Sequence, residues 1–287
     1  MTTSMTPTRG STNGDAGSLR AALPTGTVHF MGIGGAGMCA LAEAVVRGGG
    51  RVTGCDLAPG EGTKPLERLG VRVWKGHDPA HVEKAVAIVA SAAVPAGHPE
   101  LEAARAGGIP VWKRAEALGE WVSQGEVVAV SGTHGKTTTS AMTTAILAEG
   151  GLNPTGFVGG RVNAWGGHLR PGSDALFVVE ADEFDRSFHH LSPTVAIVTN
   201  VEADHLDIYG NLEGVKLGFL KFLEGVRAGG TVLVCADDPG AAALAGFLPS
   251  GARSYGFSAG SQLRGIDYRS EAPGSRFRVV EDGGHDT

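Results

Sequence analysis

The sequence predicts an α/β protein in which a Rossmann-like, doubly wound parallel sheet is followed by a P-loop α/β domain. Each of two glycine-rich loops, Gly32–Gly37 and Gly132–Lys136, follows a short apolar strand and precedes a helical segment. A third observation is the alternation of β-branched runs with helical segments between these loops. We predict a disordered tail at residues 1–23, a first domain at residues 24–124 and a second domain at residues 125–287.

The first domain is predicted from a βαβ unit around the glycine loop, Gly32–Gly37. The strand Thr27–Met31 enters this loop, whose GIGGAG sequence fits the pattern G-x-G-x-x-G, and the strand Arg51–Asp56 follows the intervening helix. The carboxylate that ends the second strand can accept a hydrogen bond from a ribose hydroxyl. The candidate binding residues are Gly32, Gly34, Gly35, Ala36, Gly37 and Asp56. Taken alone, the unit favours a dinucleotide site in a dehydrogenase, or a tight turn that binds no ligand.

Predicted strands and helices continue to alternate through the rest of the first domain. Segments 71–74, 85–90 and 109–112 are predicted strands, and segments 38–47, 99–106 and 114–122 are predicted helices. Strands joined by helical crossovers form parallel sheets. The first sheet should therefore be complete near Gln124.

The second glycine-rich loop, Gly132–Lys136, is predicted to bind a nucleoside triphosphate, and we call it the phosphate loop. The strand Val127–Ser131 leads into it, and a helix continues beyond Thr137. Backbone N–H groups and the positive end of the helix dipole then point to one anion position, while the lysine binds the outer phosphates and the threonine hydroxyl binds Mg²⁺. The spacing is the shortened form G-x-x-G-K-T. The candidate ATP-binding residues are Gly132, Thr133, His134, Gly135, Lys136, Thr137 and Thr138.

Two later strands end in polar residues that can bind metal. Segment 174–180 ends in Glu180, and segment 194–200 leads to His205. Ligands of open α/β sheets bind beyond the carboxyl ends of the strands, so both residues should lie near the phosphate loop. ATP brings Mg²⁺, which prefers oxygen ligands, and Mn²⁺ is an alternative ion. The predicted metal ligands are Thr137, Glu180 and His205, and the nearby Asp182, Glu183 and Asp185 are interpreted by default as solvated loop charges.

Composition limits the partners of this chain. A formal net charge of −6 over 287 residues provides no general attraction to nucleic acid or to anionic membranes. Cys39, Cys55 and Cys235 lie far apart in apolar segments, which fits reduced thiols of a cytoplasmic protein better than disulfides or a zinc site. No apolar run is long enough to span a bilayer, and the N-terminal residues lack the apolar core of a signal peptide.

Four motifs occur in the order found in the Mur ligases, which this sequence resembles. They are GIGGAGM at residues 32–38, GTHGKTTT at 132–139, EADE at 180–183 and TNVEADHLD at 199–207. The resemblance implies an ATP-dependent ligase of peptidoglycan precursor synthesis that forms an amide bond through an acyl phosphate. It also implies that the first domain binds a UDP-sugar instead of NAD, with His77 and Ser91 lining the pocket. The implied catalytic residues are Lys136, Glu180 and His205.

The resemblance implies the substrates as well. UDP-N-acetylmuramate and L-alanine are the expected pair, because segment Gly34–Met38 favours the alanine-adding members. A member that attaches a whole peptide to the same sugar is an alternative, and so is a two-domain module that binds nucleotides without turnover. Mur ligases have a third, C-terminal domain for which these 287 residues contain no counterpart. We therefore expect a truncated chain that folds and can bind the UDP-sugar but does not form the amide bond alone.

Overall fold

The first sheet is built from five short strands. The computed structural model describes residues 18–248, 252–272, 274–282 and 285–286. The strands of this sheet are β1 (Thr27–Met31), β2 (Arg51–Asp56), β3 (Arg72–Lys75), β4 (Ala85–Ala90) and β5 (Val111–Lys113). All pairings are parallel, and the order is β3-β2-β1-β4-β5. The order reverses beside β1, which is where doubly wound sheets bind their ligands.

In the part of the first domain that the structure describes, five helices accompany this sheet. They are α1 (Leu19–Ala22), α2 (Ala36–Arg47), α3 (Lys64–Arg68), α4 (Pro99–Ala106) and α5 (Arg114–Val122), with a 3-10 turn at Pro79–His81. Helix α2 follows Gly35, which has extended backbone angles, and ends at Gly48. Leu41 and Val45 on one of its faces are fully buried. Burial of this apolar face fixes the start of α2, and with it the glycine loop, on the sheet.

The last residues of the segment predicted as a disordered tail form a helical turn. Residues 1–17 lie outside the described part of the chain, but Leu19–Ala22 form a helical turn that residues 1–23 were expected to lack. Leu19 is fully buried, and the Arg20 guanidinium lies 3.7 Å from the centre of the Trp121 ring. Arg20 also pairs with Asp174 of the second domain at 3.1 Å. These contacts hold a turn whose sequence, LRAA, consists of residues with high helix propensity.

The described residues of the second domain form a sheet of ten strands. They are β6 (Glu126–Ser131), β7 (Pro154–Val162), β8 (Gly167–Arg170), β9 (Ser173–Glu180), β10 (Val195–Val198), β11 (Thr231–Cys235), β12 (Arg253–Gly256), β13 (Leu263–Glu271), β14 (Gly274–Glu281) and β15 (His285–Asp286). The order is β15-β14-β13-β12-β11-β10-β6-β9-β7-β8. The pairings from β13 to β7 are parallel, whereas β8, β14 and β15 join antiparallel. Strand β6 is central, so the phosphate loop leaves the middle of the sheet.

The helices of the second domain are α6 (Lys136–Glu149), α7 (Leu206–Tyr209), α8 (Leu212–Leu223) and α9 (Pro239–Leu244), with 3-10 turns at Asn163–Trp165, Phe184–His190 and Ala245–Phe247. Helix α8 is capped by Asn211, whose side chain accepts a hydrogen bond from the Gly214 N–H at 2.9 Å. Its buried Phe219 and Phe222 both pack on Phe188. This aromatic packing holds the turn after β9, which carries several acidic residues, against the body of the domain.

The two domains share a continuous apolar core. Helix α2 of the first domain packs on β7 and β8 of the second, and Leu41 and Phe157 belong to the same buried cluster. The hairpin β7–β8 thus connects the domains, although no strand was predicted there. Among the described residues, no helix is both long and apolar enough to cross a membrane.

Candidate functional site

The phosphate loop is shaped by two glycines. Gly132 and Gly135 have φ angles of 144° and 80°, which side chains with a Cβ rarely adopt. A Cβ on Gly132 would lie 2.0 Å from Oγ1 of Thr199. Thr199, which directly follows β10, therefore leaves no space for a side chain at this position of the loop. Helix α6 then begins at Lys136, and the N–H groups of a first helical turn have no partners within their helix. The loop therefore has the form of an anion site.

The residues after β10 hold this loop in place. The Asn200 side chain accepts a hydrogen bond from the His134 N–H at 2.7 Å and donates to the His134 carbonyl oxygen at 3.1 Å. Thr199 Oγ1 donates to that same carbonyl at 2.7 Å, and the Thr133 hydroxyl accepts from the Glu202 N–H at 2.9 Å. The His134 ring itself is exposed. These bonds set the loop backbone in advance of any ligand.

Lys136 forms a buried ion pair. Its ammonium donates to both oxygens of Glu183, at 2.7 and 2.9 Å, and to the Gly132 carbonyl oxygen at 2.8 Å. The Glu183 side chain is only 3% exposed, and burial raises its pKa although the bond to Lys136 acts in the opposite direction. Glu183 is therefore not the solvated loop charge that the sequence suggested. It fixes the lysine ammonium over the phosphate loop.

Thr137 and Glu180 fit a magnesium ion. The Thr137 hydroxyl lies 2.9 Å from both carboxylate oxygens of Glu180, and the Gly159 N–H also donates to Glu180. Hydroxyl and carboxylate oxygens beside a phosphate loop are the donors that Mg²⁺ accepts, together with water and phosphate oxygens. The predicted pair is thus brought together by the register of β6 and β9, in which Val130 lies opposite Glu180.

His205 lies at the same edge of the sheet, but its ring is farther from the neighbouring carboxylates than a hydrogen bond allows. Its Nε2 is 4.0 Å from Oε1 of Glu183 and 3.9 Å from Oδ2 of Asp204. The ring packs edge-on against Phe184, and the residue has a φ of 50°. Asp185 has a similar positive φ. Non-glycine residues in this conformation carry strain, which concentrates at ligand sites.

The glycine loop of the first domain is braced by Asp56. One carboxylate oxygen accepts from the Gly34 N–H at 2.8 Å, and the other accepts from the Ala58 N–H at 2.9 Å. A Cβ on Gly34 would lie 2.9 Å from this carboxylate, and a Cβ on Gly32 would lie 2.9 Å from Cβ of Ser91. Gly32, Gly34, Asp56 and Ser91 therefore meet at one edge of the sheet. The carboxylate of Asp56 holds the loop itself, whereas the sequence predicts a hydrogen bond from a ribose hydroxyl.

The His77 ring contacts the side chains of Glu100 and Cys55. Its Nδ1 lies 2.8 Å from Glu100 and 3.2 Å from Sγ of Cys55, and its side chain is largely buried. Cys55 directly precedes Asp56, so this polar cluster lies behind the glycine loop. All three cysteines are free thiols, as predicted.

A cavity of about 280 Å³ connects the two halves of the site. Its lining includes Gly37 from the start of α2, Glu180 and Asp182 from the end of β9, and Arg114 from the start of α5. A Cβ on Gly37 would lie 2.9 Å from Nη1 of Arg114, so the guanidinium lies over the glycine loop. Burial lowers the pKa of Arg114, while Asp182 and Glu180 act to raise it.

Sequence reasoning missed Arg114 and Glu183. Arg114 follows the apolar strand β5, and the rule that ligands bind beyond strand ends would have identified it. Glu183 could not be separated from Asp182 and Asp185 by sequence, because its burial depends on Lys136 and on the packing of the following turn.

These features define a two-domain α/β protein in which each of two glycine-rich loops joins a strand to a helix, the arrangement typical of nucleotide-binding folds. Comparison with known families makes the assignment specific. The sequence profile described as "Mur ligase family, catalytic domain" matches residues 27–125, and the profile described as "Mur ligase middle domain" matches residues 130–286. The chain belongs to the Mur ligase family.

Individual relatives agree with this assignment. The UDP-N-acetylmuramate–L-alanine ligase of Methylibium petroleiphilum is 44% identical over 254 residues, which are 88% of this chain and 54% of that protein. The crystal structure of the UDP-N-acetylmuramate:L-alanyl-γ-D-glutamyl-meso-diaminopimelate ligase from Neisseria meningitides matches with a TM-score of 0.79, 29% identity, and coverage of 90% of this chain and 85% of that chain. The UDP-N-acetylmuramate-alanine ligase from Thermotoga maritima matches with a TM-score of 0.77, 28% identity, and coverage of 90% and 58%. The chain spans about half the length of the curated relative.

Proposed function

We propose that this chain is the UDP-sugar- and ATP-binding part of a ligase that joins L-alanine to the lactyl carboxylate of UDP-N-acetylmuramate. The reaction would serve peptidoglycan precursor synthesis in the cytoplasm, with ATP converted to ADP and phosphate. The 44% identity to a curated relative of that activity supports the choice of substrates. The ligation itself is proposed for the whole protein, because the chain spans 54% of that relative.

The interdomain cavity is the observation that carries this proposal. It extends from Gly37 at the glycine loop to Glu180, which contacts Thr137 beside the phosphate loop. A UDP-sugar held by the first domain can thus place a carboxylate close to the terminal phosphate of ATP held by the second. Such proximity converts the encounter of two ligands into a reaction within one complex.

The residues around the cavity have complementary roles in this chemistry. The lactyl carboxylate attacks the terminal phosphorus of ATP in line, and the acyl phosphate that forms is then attacked by the amine of alanine. Arg114 would hold the carboxylate, since a guanidinium recognises carboxylates through two parallel hydrogen bonds. Lys136 and the loop amides would stabilise the charge that develops on the transferred phosphoryl group.

Magnesium would supply charge neutralisation of the triphosphate when bound. Thr137 and Glu180 are the residues that would hold it, and His205 is a further candidate ligand that favours Mn²⁺ more than Mg²⁺ because it offers nitrogen.

A second candidate is a ligase that attaches a whole peptide to the same UDP-sugar. The Neisseria peptide ligase has a TM-score of 0.79, against 0.77 for the Thermotoga alanine-adding enzyme, so the fold does not separate the two activities. The sequence identity of 44% favours alanine. Both candidates share the nucleotide sites described above.

Ligand-induced thermal stabilisation tests the proposal. UDP-N-acetylmuramate should raise the melting temperature of the chain, and NAD should not, because only a ligand that binds the native state stabilises it. UDP-N-acetylglucosamine, which lacks the lactyl carboxylate, should bind more weakly. A melting shift with NAD and none with either UDP-sugar would refute the assignment of the first domain.

The variant Arg114→Gln tests whether Arg114 recognises the lactyl carboxylate. We expect the variant to lose the preference for UDP-N-acetylmuramate over UDP-N-acetylglucosamine, which corresponds to about tenfold or more for a charge-assisted pair. Lys113→Gln is the matched control, because Lys113 is the exposed neighbour that carries the same charge. If both variants keep the preference, another group recognises the carboxylate.

A further inference from the structure

A buried group of metal-binding side chains lies behind the glycine loop, outside the nucleotide sites. We propose that His29, Cys55, His81 and Glu100 form a zinc site, which we call the His–Cys–Glu cluster. Their ligand atoms all lie within 4.8 Å of one another. They come from β1, from the end of β2, from the 3-10 turn after β3 and from the start of α4. The fold therefore gathers four separate elements around one point.

The spacing of these atoms suits a tetrahedral ion. Nε2 of His29 lies 3.3 Å from Sγ of Cys55, and that sulfur lies 3.4 and 3.5 Å from the two oxygens of Glu100. With zinc–ligand distances of about 2.0 to 2.3 Å, ligand atoms of a tetrahedral site are separated by about 3.3 to 3.5 Å. Nδ1 of His81 lies 2.8 Å from Oε1 of Glu100, and it lies within 4.8 Å of the ligand atoms of His29 and Cys55.

The donor set matches zinc more closely than magnesium or calcium. One sulfur, two imidazole nitrogens and one carboxylate oxygen form a mixed set typical of zinc, whereas the hard ions take oxygen ligands. His29, Cys55 and Glu100 are each fully buried, so water cannot replace them readily. Closed, buried ligand sets of this kind are typical of structural zinc sites.

Surrounding groups orient the ligands as the outer shell of a metal site does. Nδ1 of His29 lies 3.0 Å from the Thr53 hydroxyl, which leaves Nε2 directed at the sulfur. The His81 ring stacks on Trp74 with their centres 4.6 Å apart. Glu100 also accepts from the Asp78 N–H at 3.0 Å. Outer partners of this type fix the tautomer and the ring orientation of metal-bound histidines.

The sulfur of Cys55 must bind as the thiolate, because the thiolate and not the thiol is the metal ligand. Binding of Zn²⁺ forms a Zn–S bond and releases the thiol proton to solvent.

Cobalt and zinc added to the metal-free full chain test the site. We expect one Zn²⁺ per chain to remain after dialysis, and Co²⁺ to produce a sulfur-to-cobalt charge-transfer band together with the strong visible absorption of tetrahedral cobalt. Cys55→Ser should abolish the charge-transfer band and the zinc-dependent rise in melting temperature. Cys235→Ser should retain both, since Cys235 lies on β11 in the other sheet.

A second variant tests the site independently, in case Cys55→Ser does not fold. His81→Gln should keep the charge-transfer band but lower the zinc affinity at least about tenfold, as loss of one ligand does. Zinc that dialyses away completely with no cobalt–sulfur band would overturn the proposal. A band that persists in Cys55→Ser and disappears in Cys235→Ser would also overturn it. Ions bound at the oxygen-rich site near Glu180 would give no sulfur band, so they are distinguished.

Discussion

The ammonium of Lys136 lies 2.7 and 2.9 Å from the two carboxylate oxygens of Glu183, and this pair closes one side of the phosphate loop. Both side chains are largely buried. A buried charge that loses its partner is destabilising, whereas the intact pair stabilises little in itself. We infer that the main role of the pair is to hold the ammonium in position over the phosphate loop.

Lys136→Ala should weaken ATP binding much more than UDP-sugar binding. In the proposed site the lysine would make a charge-assisted contact to phosphate, so its loss should cost about tenfold or more in ATP affinity. The glycine loop, where we propose that the UDP-sugar binds, lies on the other domain, and we expect the UDP-sugar affinity to change less than about twofold. Isothermal titration with each ligand measures the difference. Lys221→Ala is the control, because Lys221 is an exposed lysine that pairs with Glu224 at the surface.

An equal loss of both affinities in Lys136→Ala, with an unchanged circular dichroism spectrum, would contradict the assignment. Removal of the lysine also leaves Glu183 without its cation. The double variant Lys136→Ala/Glu183→Gln should recover part of the stability lost in the single variant, because it removes the unpaired buried charge.

Glu180→Gln and His205→Ala should each lower the affinity for Mg²⁺ or Mn²⁺ in the presence of nucleotide. Glu180 contacts Thr137, and His205 lies 4.0 Å from Glu183, which binds Lys136. Residues that act on one bridged cluster give non-additive effects, so the double variant should lose less than the sum of the two single losses. Manganese binding followed by electron paramagnetic resonance measures this. Asp207→Asn, an exposed carboxylate on α7, should have no effect; full metal affinity in the double variant would place the ions elsewhere.

Much of the fold follows from local patterns. The strand Arg51–Asp56 and the helix Pro99–Ala106 have the predicted bounds, because β-branched runs and capping residues mark them clearly. Strand β7 was missed because its sequence PTGFVGGRV begins with proline and contains three glycines. Such a segment has low strand propensity and is held by its neighbours in the sheet.

In the candidate site, too, the residues that follow from local patterns were predicted and the others were not. Gly132–Lys136 and Glu180 were predicted because strand ends meet at one edge of a sheet. The His–Cys–Glu cluster was not, and the cysteines were interpreted as plain reduced thiols instead of a zinc site. Its ligands are separated by 19 to 26 positions in sequence, from His29 to Cys55, His81 and Glu100. No short motif encodes a site that four different elements assemble.

Gly34→Ala should destabilise the first domain more than Gly35→Ala. A Cβ on Gly34 would lie 2.9 Å from the Asp56 carboxylate that braces the loop, whereas the nearest atom to a Cβ on Gly35 is 3.6 Å away. We expect a loss of about 1 to 3 kcal/mol in the free energy of unfolding for Gly34→Ala. Gly35→Ala should lose no more than about 1 kcal/mol, which is the effect of alanine at a helix N-cap. Urea denaturation measures both; equal losses would show that the Asp56 brace is unimportant.

Acid should destabilise the protein in part through His189. Its ring stacks on Phe188 and its Nε2 lies 2.9 Å from the Gly218 carbonyl oxygen. Burial lowers the pKa of His189 below its ordinary value of 6.5, even though the bond to Gly218 acts in the opposite direction. The unfolded chain therefore takes up the proton first as the pH falls.

The contribution of His189 to stability should be complete above pH 6.5 and should diminish as the pH falls through the lowered pKa of the folded state. Urea denaturation at a series of pH values between about 7.5 and 5 measures the decline. His189→Gln should show a shallower decline than the unchanged chain, because glutamine takes up no proton in either state. His134→Gln removes an exposed imidazole and should leave the decline unaltered. A His189→Gln profile as steep as that of the unchanged chain would assign the acid sensitivity to other groups.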